Sequence, residues 1–117
     1  MCELMARSGF WVHFIEPNRA GAQPFDIVAA RGGRAYAIDA KTCAAGSFNI
    51  SRLEDNQRMA FDLWLSCGNY MPFVAVKHDD VIYMIDYATL QEKRSVKLNQ
   101  EVLTYEEWLS REPGGVF

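Results

Sequence analysis

The chain of 117 residues has no cysteine pair at CxxC spacing and no apolar run approaching 18 residues. It also lacks a basic stretch followed by an apolar segment near residue 1. Its three cysteines, Cys2, Cys43 and Cys67, are odd in number and scattered, which argues against a disulfide framework or a zinc site. Without a membrane-length run or a leader pattern, the expectation is a cytoplasmic protein with no membrane association. An excess of positive charge is missing too: 12 Lys and Arg stand against 15 Asp and Glu, for a net charge of −3. That weighs against a broadly basic, phosphate-binding surface while leaving room for a local one. There is no repeat, low-complexity segment or linker. What is present is a hydrophobic half and 13% aromatics, enough for one domain with one core.

The pattern predicts its elements in the order α-β-β-β-α-β-β-(α). Residues 2–8 form a short helical pattern, with Gly9 placed to take positive φ at its end. Residues 10–15 (FWVHFI) and 25–30 (FDIVAA) are β-branched and aromatic strands. Residues 17–23 between them have loop chemistry. Arg31-Gly32-Gly33-Arg34 is a tight turn into a third strand over 35–42. Ser51 and Glu54 propose a capping box for a helix whose apolar stripe reads Leu53, Ala60, Leu63, Trp64, Cys67 and which ends at Gly68-Asn69. Residues 72–76 and 81–87 are a hairpin around His78-Asp79-Asp80. Residues 88–103 carry no clear pattern. Thr104 and Glu107 form a second capping box for a last helix to Arg111, with Leu103 placed to staple against Trp108, and the tail PGGVF is expected to be loose. The expected fold class is α/β: a central mixed sheet flanked by helices.

The chemistry concentrates in Pro24–Lys41. Alternation along the third strand puts Ala35, Ala37, Asp39 and Lys41 on one face, with Tyr36, Ile38 and Ala40 on the face expected to meet the core. Asp26 on the preceding strand is placed to approach Asp39. Two close carboxylates repel unless a cation lies between them. Mg²⁺ accepts one or two carboxylates and keeps waters for chemistry at a phosphate, and Lys41 would add a positive charge beside that phosphate. Gln57 falls inside the second helix's apolar stripe, where a polar side chain needs a hydrogen-bonding reason. If that helix packs beside the hairpin, Gln57 reaches the same site.

These pieces resemble the PD-(D/E)XK nuclease superfamily, whose core is an αβββαβ unit of restriction-endonuclease-like type. Pro24-Phe25-Asp26 is similar to the first half of its motif, with one residue inserted, and Asp39-Ala40-Lys41 to the acid-x-Lys half. Within it the chain looks most like Holliday-junction resolvases of archaeal and RecU type. The likeness runs over residues 8–87 through Gly9-Phe10, the DIVA strand, Phe48 and Gln57. The resemblance implies a Mg²⁺- or Mn²⁺-dependent endodeoxyribonuclease acting on DNA, branched DNA included, without a small-molecule cofactor, as a two-fold homodimer of phage or prophage use. It implies Asp26, Asp39 and the Ala40 carbonyl as metal ligands, Lys41 as the catalytic lysine and Gln57 as the accessory polar residue. Relatives carry a further acid early in the first helix, and Glu3 is its only counterpart here. The alternative is a binding module: the same fold with a degenerate site, holding nucleic acid or a protein.

Other residues carry blander expectations. Arg19, Arg31, Arg34 and Arg52 are candidates for a basic, nucleic-acid-binding rim. His13 is expected to be structural and His78 exposed beside a turn. Asp79-Asp80 is a turn signal, and Cys43, with no histidine suggestively placed, is structural. Phe10, Trp11 and Phe14 serve either the core or an interface.

Overall fold

A computed structural model describes residues 1–16 and 23–111. Arg19, most of the loop expected over 17–23, and the PGGVF tail lie outside the described residues. The elements in chain order are α1 (Cys2–Arg7), β1 (Trp11–Phe14), β2 (Ile27–Arg31), β3 (Arg34–Thr42), β4 (Ser47–Asn49), a 3₁₀ turn (Ile50–Arg52) and α2 (Asp55–Ser66). Then follow β5 (Phe73–His78), β6 (Val81–Asp86), α3 (Tyr87–Lys93), β7 (Ser95–Lys97), α4 (Leu98–Glu101), β8 (Leu103–Thr104) and α5 (Tyr105–Arg111).

Six strands form one sheet in the order β1-β2-β3-β5-β6-β8. Only β3 and β5 pair in parallel; every other neighbouring pair in that sheet is antiparallel. This is the mixed sheet expected, and the parallel step exists because α2 carries the chain from β3 back to the start of β5. The tight turns form as the glycines and aspartates dictate. Gly32 (φ 61°) and Gly33 (φ 78°) join β2 to β3, and Asp79 (φ 48°) and Asp80 (φ 62°) join β5 to β6. β4 and β7 pair in a separate two-stranded ribbon.

Both faces of the sheet are covered. One core gathers Met5 of α1, Tyr36 and Ile38 of β3, and Tyr105 and Trp108 of α5. The other gathers Ala37 of β3, Phe61 of α2, Tyr87 and Leu90 of α3, and Phe48 and Val96 of the ribbon. The expectation that only the Tyr36–Ile38 face of β3 meets a core is therefore corrected: β3 is a central strand, buried on both sides.

The second helix also differs from its expected form. It begins at Asp55, one turn later than Ser51 suggests, because residues 50–52 form a 3₁₀ turn that sends Ile50 and Leu53 into the core. Asn49, not Ser51, caps that turn, its Oδ1 accepting from the Ser51 N–H at 2.9 Å. The buried line of α2 runs through Gln57 and Phe61, while Leu63 is 65% exposed and Cys67 is at the surface. Apolar residues sit on several sides of this helix, so periodicity alone pointed to a face rotated from the real one. At the C-terminal end Thr104 and Glu107 cap α5 reciprocally, as their spacing predicts: the Thr104 N–H donates to Glu107 at 2.9 Å and the Glu107 N–H to Thr104 Oγ1 at 3.2 Å. The stretch 88–103 resolves into four short elements, each too brief to show a period.

Candidate active site

The β2–β3 register pairs Ile27 with Ile38, which sets Asp26 opposite Asp39. Asp26 stands one residue before β2. Its backbone carbonyl accepts from the Ile15 N–H at 2.7 Å, and its Oδ2 accepts from the Ala40 N–H at 2.8 Å. The loop leading to it is tied to α2, since Asn56 Nδ2 donates to the Gln23 carbonyl at 2.7 Å. That tether was not legible in the sequence, where Asn56 is one more polar residue near a helix start.

Asp39 lies in mid-sheet with 0% of its surface exposed. Gln57 Nε2 donates to its Oδ1 at 3.0 Å, and Lys41 Nζ stands 3.3 Å from its Oδ2. Lys41 Nζ also donates to Gln57 Oε1 at 3.1 Å, which closes a triangle of Asp39, Lys41 and Gln57. Gln57 Oε1 takes a further hydrogen bond from the Glu54 N–H at 3.0 Å, so the same oxygen starts the helix and holds the lysine. This answers why a glutamine occupies the buried line of α2 with 5% exposure.

Asp39 Oδ2 has charge contact with Lys41 but makes no directed hydrogen bond. Burial first, and the facing Asp26 charge second, push the Asp39 carboxyl up to about 7, against the pull of Lys41. A buried carboxylate oxygen without a hydrogen bond, opposite a second carboxylate, fits a hard divalent cation by donor chemistry. Among the described residues no three His, Cys, Asp or Glu gather as a ligand cluster. Glu3, exposed on α1, is thus not brought to the aspartate pair. Two carboxylates with water and substrate oxygens still suffice for Mg²⁺.

The arginines divide. Arg52 stays near the site, its Nη2 donating to the Thr42 carbonyl at 2.8 Å, one residue past Lys41. Arg31 and Arg34 flank the turn at the far end of the hairpin, roughly 17 Å along β3 from Asp39. There Arg31 Nη1 donates to the Ser8 carbonyl at 2.7 Å and Arg34 lies 4.0 Å over the Tyr70 ring. Their place in a rim around the acids is corrected: strand length carries them away. His78 is half-buried, not solvent-exposed; its Nδ1 is 2.9 Å from the Cys43 carbonyl, clamping the chain as it leaves β3. Cys43 Sγ is turned inward to the Ala45 and Ser47 carbonyls at 3.2 and 3.3 Å, in keeping with a structural role.

Comparison with solved structures finds the same architecture in the Archaeoglobus fulgidus protein Hjc, a Holliday junction resolvase from an archaeal hyperthermophile. The superposition has a TM-score of 0.66 at 18% identity, covering 91% of this chain and 86% of that one. The chain shares the fold of that structure. No family model and no curated protein matches the sequence. No helix among the described residues is long and apolar enough to cross a membrane.

Proposed function

We propose that the protein is a divalent-metal-dependent endonuclease that hydrolyses phosphodiester bonds in DNA, with branched DNA as the favoured substrate class. The observation that carries the proposal is the Asp39–Lys41–Gln57 triangle facing Asp26, on a fold shared with a Holliday junction resolvase. Asp26, Asp39 and the Ala40 carbonyl would hold Mg²⁺ or Mn²⁺. When bound, the cation supplies Lewis acidity and counter-charge at the scissile phosphate. Lys41 presents one ammonium beside Asp39, placed to stabilise charge on the phosphoryl oxygens as the bond breaks. Gln57 fixes both partners, so the lysine is aimed before substrate arrives. Asp26 and Ala40 hold the two strands in register at the acids. A two-fold dimer would match the paired cleavage points of a four-way junction.

The test uses labelled four-way, flapped and plasmid DNA with Mg²⁺, Mn²⁺ or EDTA, alongside calorimetric titration of each metal. Cleavage should require metal and vanish in Asp39→Asn, and metal binding should weaken in Asp26→Asn and Asp39→Asn. The absence of a third gathered carboxylate among the described residues favours a second reading, a nuclease fold that binds DNA without cutting it. DNA binding that ignores metal, with every substrate left intact, would select that reading.

A further inference from the structure

Trp11 and His13 alternate with Val12 and Phe14 on β1, the open edge of the large sheet. Their rings lie nearly parallel, 11° apart with centroids at 6.2 Å. Trp11 is 64% exposed and His13 is exposed too, so this aromatic surface faces solvent. The register pairs Trp11 with Ala30 and His13 with Val28, and those with Ala35 and Ala37. Residues 11, 13 and 15 therefore share the sheet face that carries Asp39 and Lys41. Between the stacked rings and the acids lie Val28, Ala30, Ala35 and Ala37, all small and uncharged. Strand spacing and rise put the platform roughly 12–16 Å from Asp39.

We propose that Trp11 and His13 form a stacking platform for an unpaired base of the DNA strand whose backbone lies at Asp26 and Asp39. The inference rests on the DNA reading of that site and extends it to unpaired, single-stranded segments next to the cut. A flat ring pair suits a nucleobase, whose π-face stacks on aromatics whatever its identity. Ala30 and Ala35, half-buried beside the rings, carry no charge to repel the strand. A second protein chain fits less well: among the described residues the other exposed large hydrophobic on β1 is Phe14, which alternation sends to the opposite face. Two rings fall far short of the roughly 800 Å² per partner that a stable protein interface covers.

The test is fluorescence anisotropy with a labelled mixed-sequence single strand and a blunt duplex of equal length, in EDTA so that binding is read apart from cleavage. Trp11→Ala should weaken single-strand binding about 5- to 100-fold and leave duplex binding near wild type. Trp11→Phe should keep most of the affinity, and His13→Ala should show a smaller loss. Trp11 is largely exposed, so these variants should keep the wild-type circular dichroism. Equal single-strand affinity in wild type and Trp11→Ala overturns the platform, as does no single-strand binding by wild type. A change in sedimentation from dimer to monomer in Trp11→Ala also overturns it, by assigning the patch to self-association. Metal-dependent cleavage with an unaltered Trp11→Ala affinity leaves the nuclease standing and the platform lost. Trp11-dependent binding without cleavage under any metal does the reverse.

Discussion

On one face of β3, Tyr36 lies within 5.4–6.3 Å of the ring centroids of Phe10, Tyr70, Phe73 and Trp108, three of them edge-on and Phe73 tilted. On the other, Ala35 and Ala37 give way to Asp39 and Lys41, and a carboxylate oxygen is sealed away without a hydrogen bond. The same nine residues thus build a dense apolar wall and a buried charged site, separated by the thickness of one strand. Both faces carry a core, but Asp39 and Lys41 sit on one face alone. A buried carboxylate is costly unless fully paired, so Asp39 weakens a strand that the cores on both faces support.

That division can be broken at several strengths. The largest expected effect is Trp108→Ala, which removes the centre of the aromatic wall and should cost about 3–5 kcal/mol of unfolding free energy in a urea titration. A cost below about 1 kcal/mol would mean the wall is not what holds the sheet. Next, Asp39→Asn and Lys41→Ala should each lower the cleavage rate roughly a hundredfold to a thousandfold with the fold intact by circular dichroism. A loss of folding in either would show that the acid face is structural after all.

The third test is pH. The folded Asp39 carboxyl is raised to about 7 from the ordinary 3.8, so the native state keeps a proton that the unfolded chain releases above pH 4. The contribution of this group to stability is therefore greatest below about pH 4 and falls as pH rises to about 7. Thermal denaturation in metal-free buffer should show that decline, amounting to roughly 4 kcal/mol for a shift from 3.8 to about 7, and Asp39→Asn should flatten it. A flat wild-type profile would remove the strain from the acid face. Smaller still, Gln57→Ala should slow cleavage about tenfold by freeing Lys41, while Gln57→Glu changes the pH profile by adding a charge. Last, Arg34→Ala should lower stability by about 0.5–1 kcal/mol through the lost Tyr70 contact. A fall in DNA affinity instead would return Arg34 to the binding surface.

Much of this was legible because each signal was local. The glycine and aspartate turns, the Thr104–Glu107 box and the alternation that pairs Asp39 with Lys41 all act within a few residues. The polar interruption at Gln57 was readable too, since a glutamine among apolar helix positions demands a partner. What was hidden depends on distant parts of the chain. Nothing near Asn56 says that it reaches Gln23, and nothing near His78 says that it holds the Cys43 carbonyl. Arg31 and Arg34 misled because closeness in sequence to the acids was read as closeness in space, and an extended strand separates them. The elements of 88–103 escaped because pairings such as Ser47 with Lys97 and Met84 with Leu103, not intrinsic pattern, define them.

The parallel pairing of β3 with β5 has a consequence for folding order. The β2–β3 hairpin closes through a two-glycine turn, so Asp26 and the Ala40 amide can meet early. β5 can dock only after about thirty intervening residues, α2 among them, have been gathered in. Until then Asp39 is open to water and ionises as an ordinary carboxylate. Its burial, and with it the altered acidity, is acquired only with that closure. Substitutions at its β5 neighbour Val74 should therefore slow folding more than equally destabilising ones in the hairpin turn.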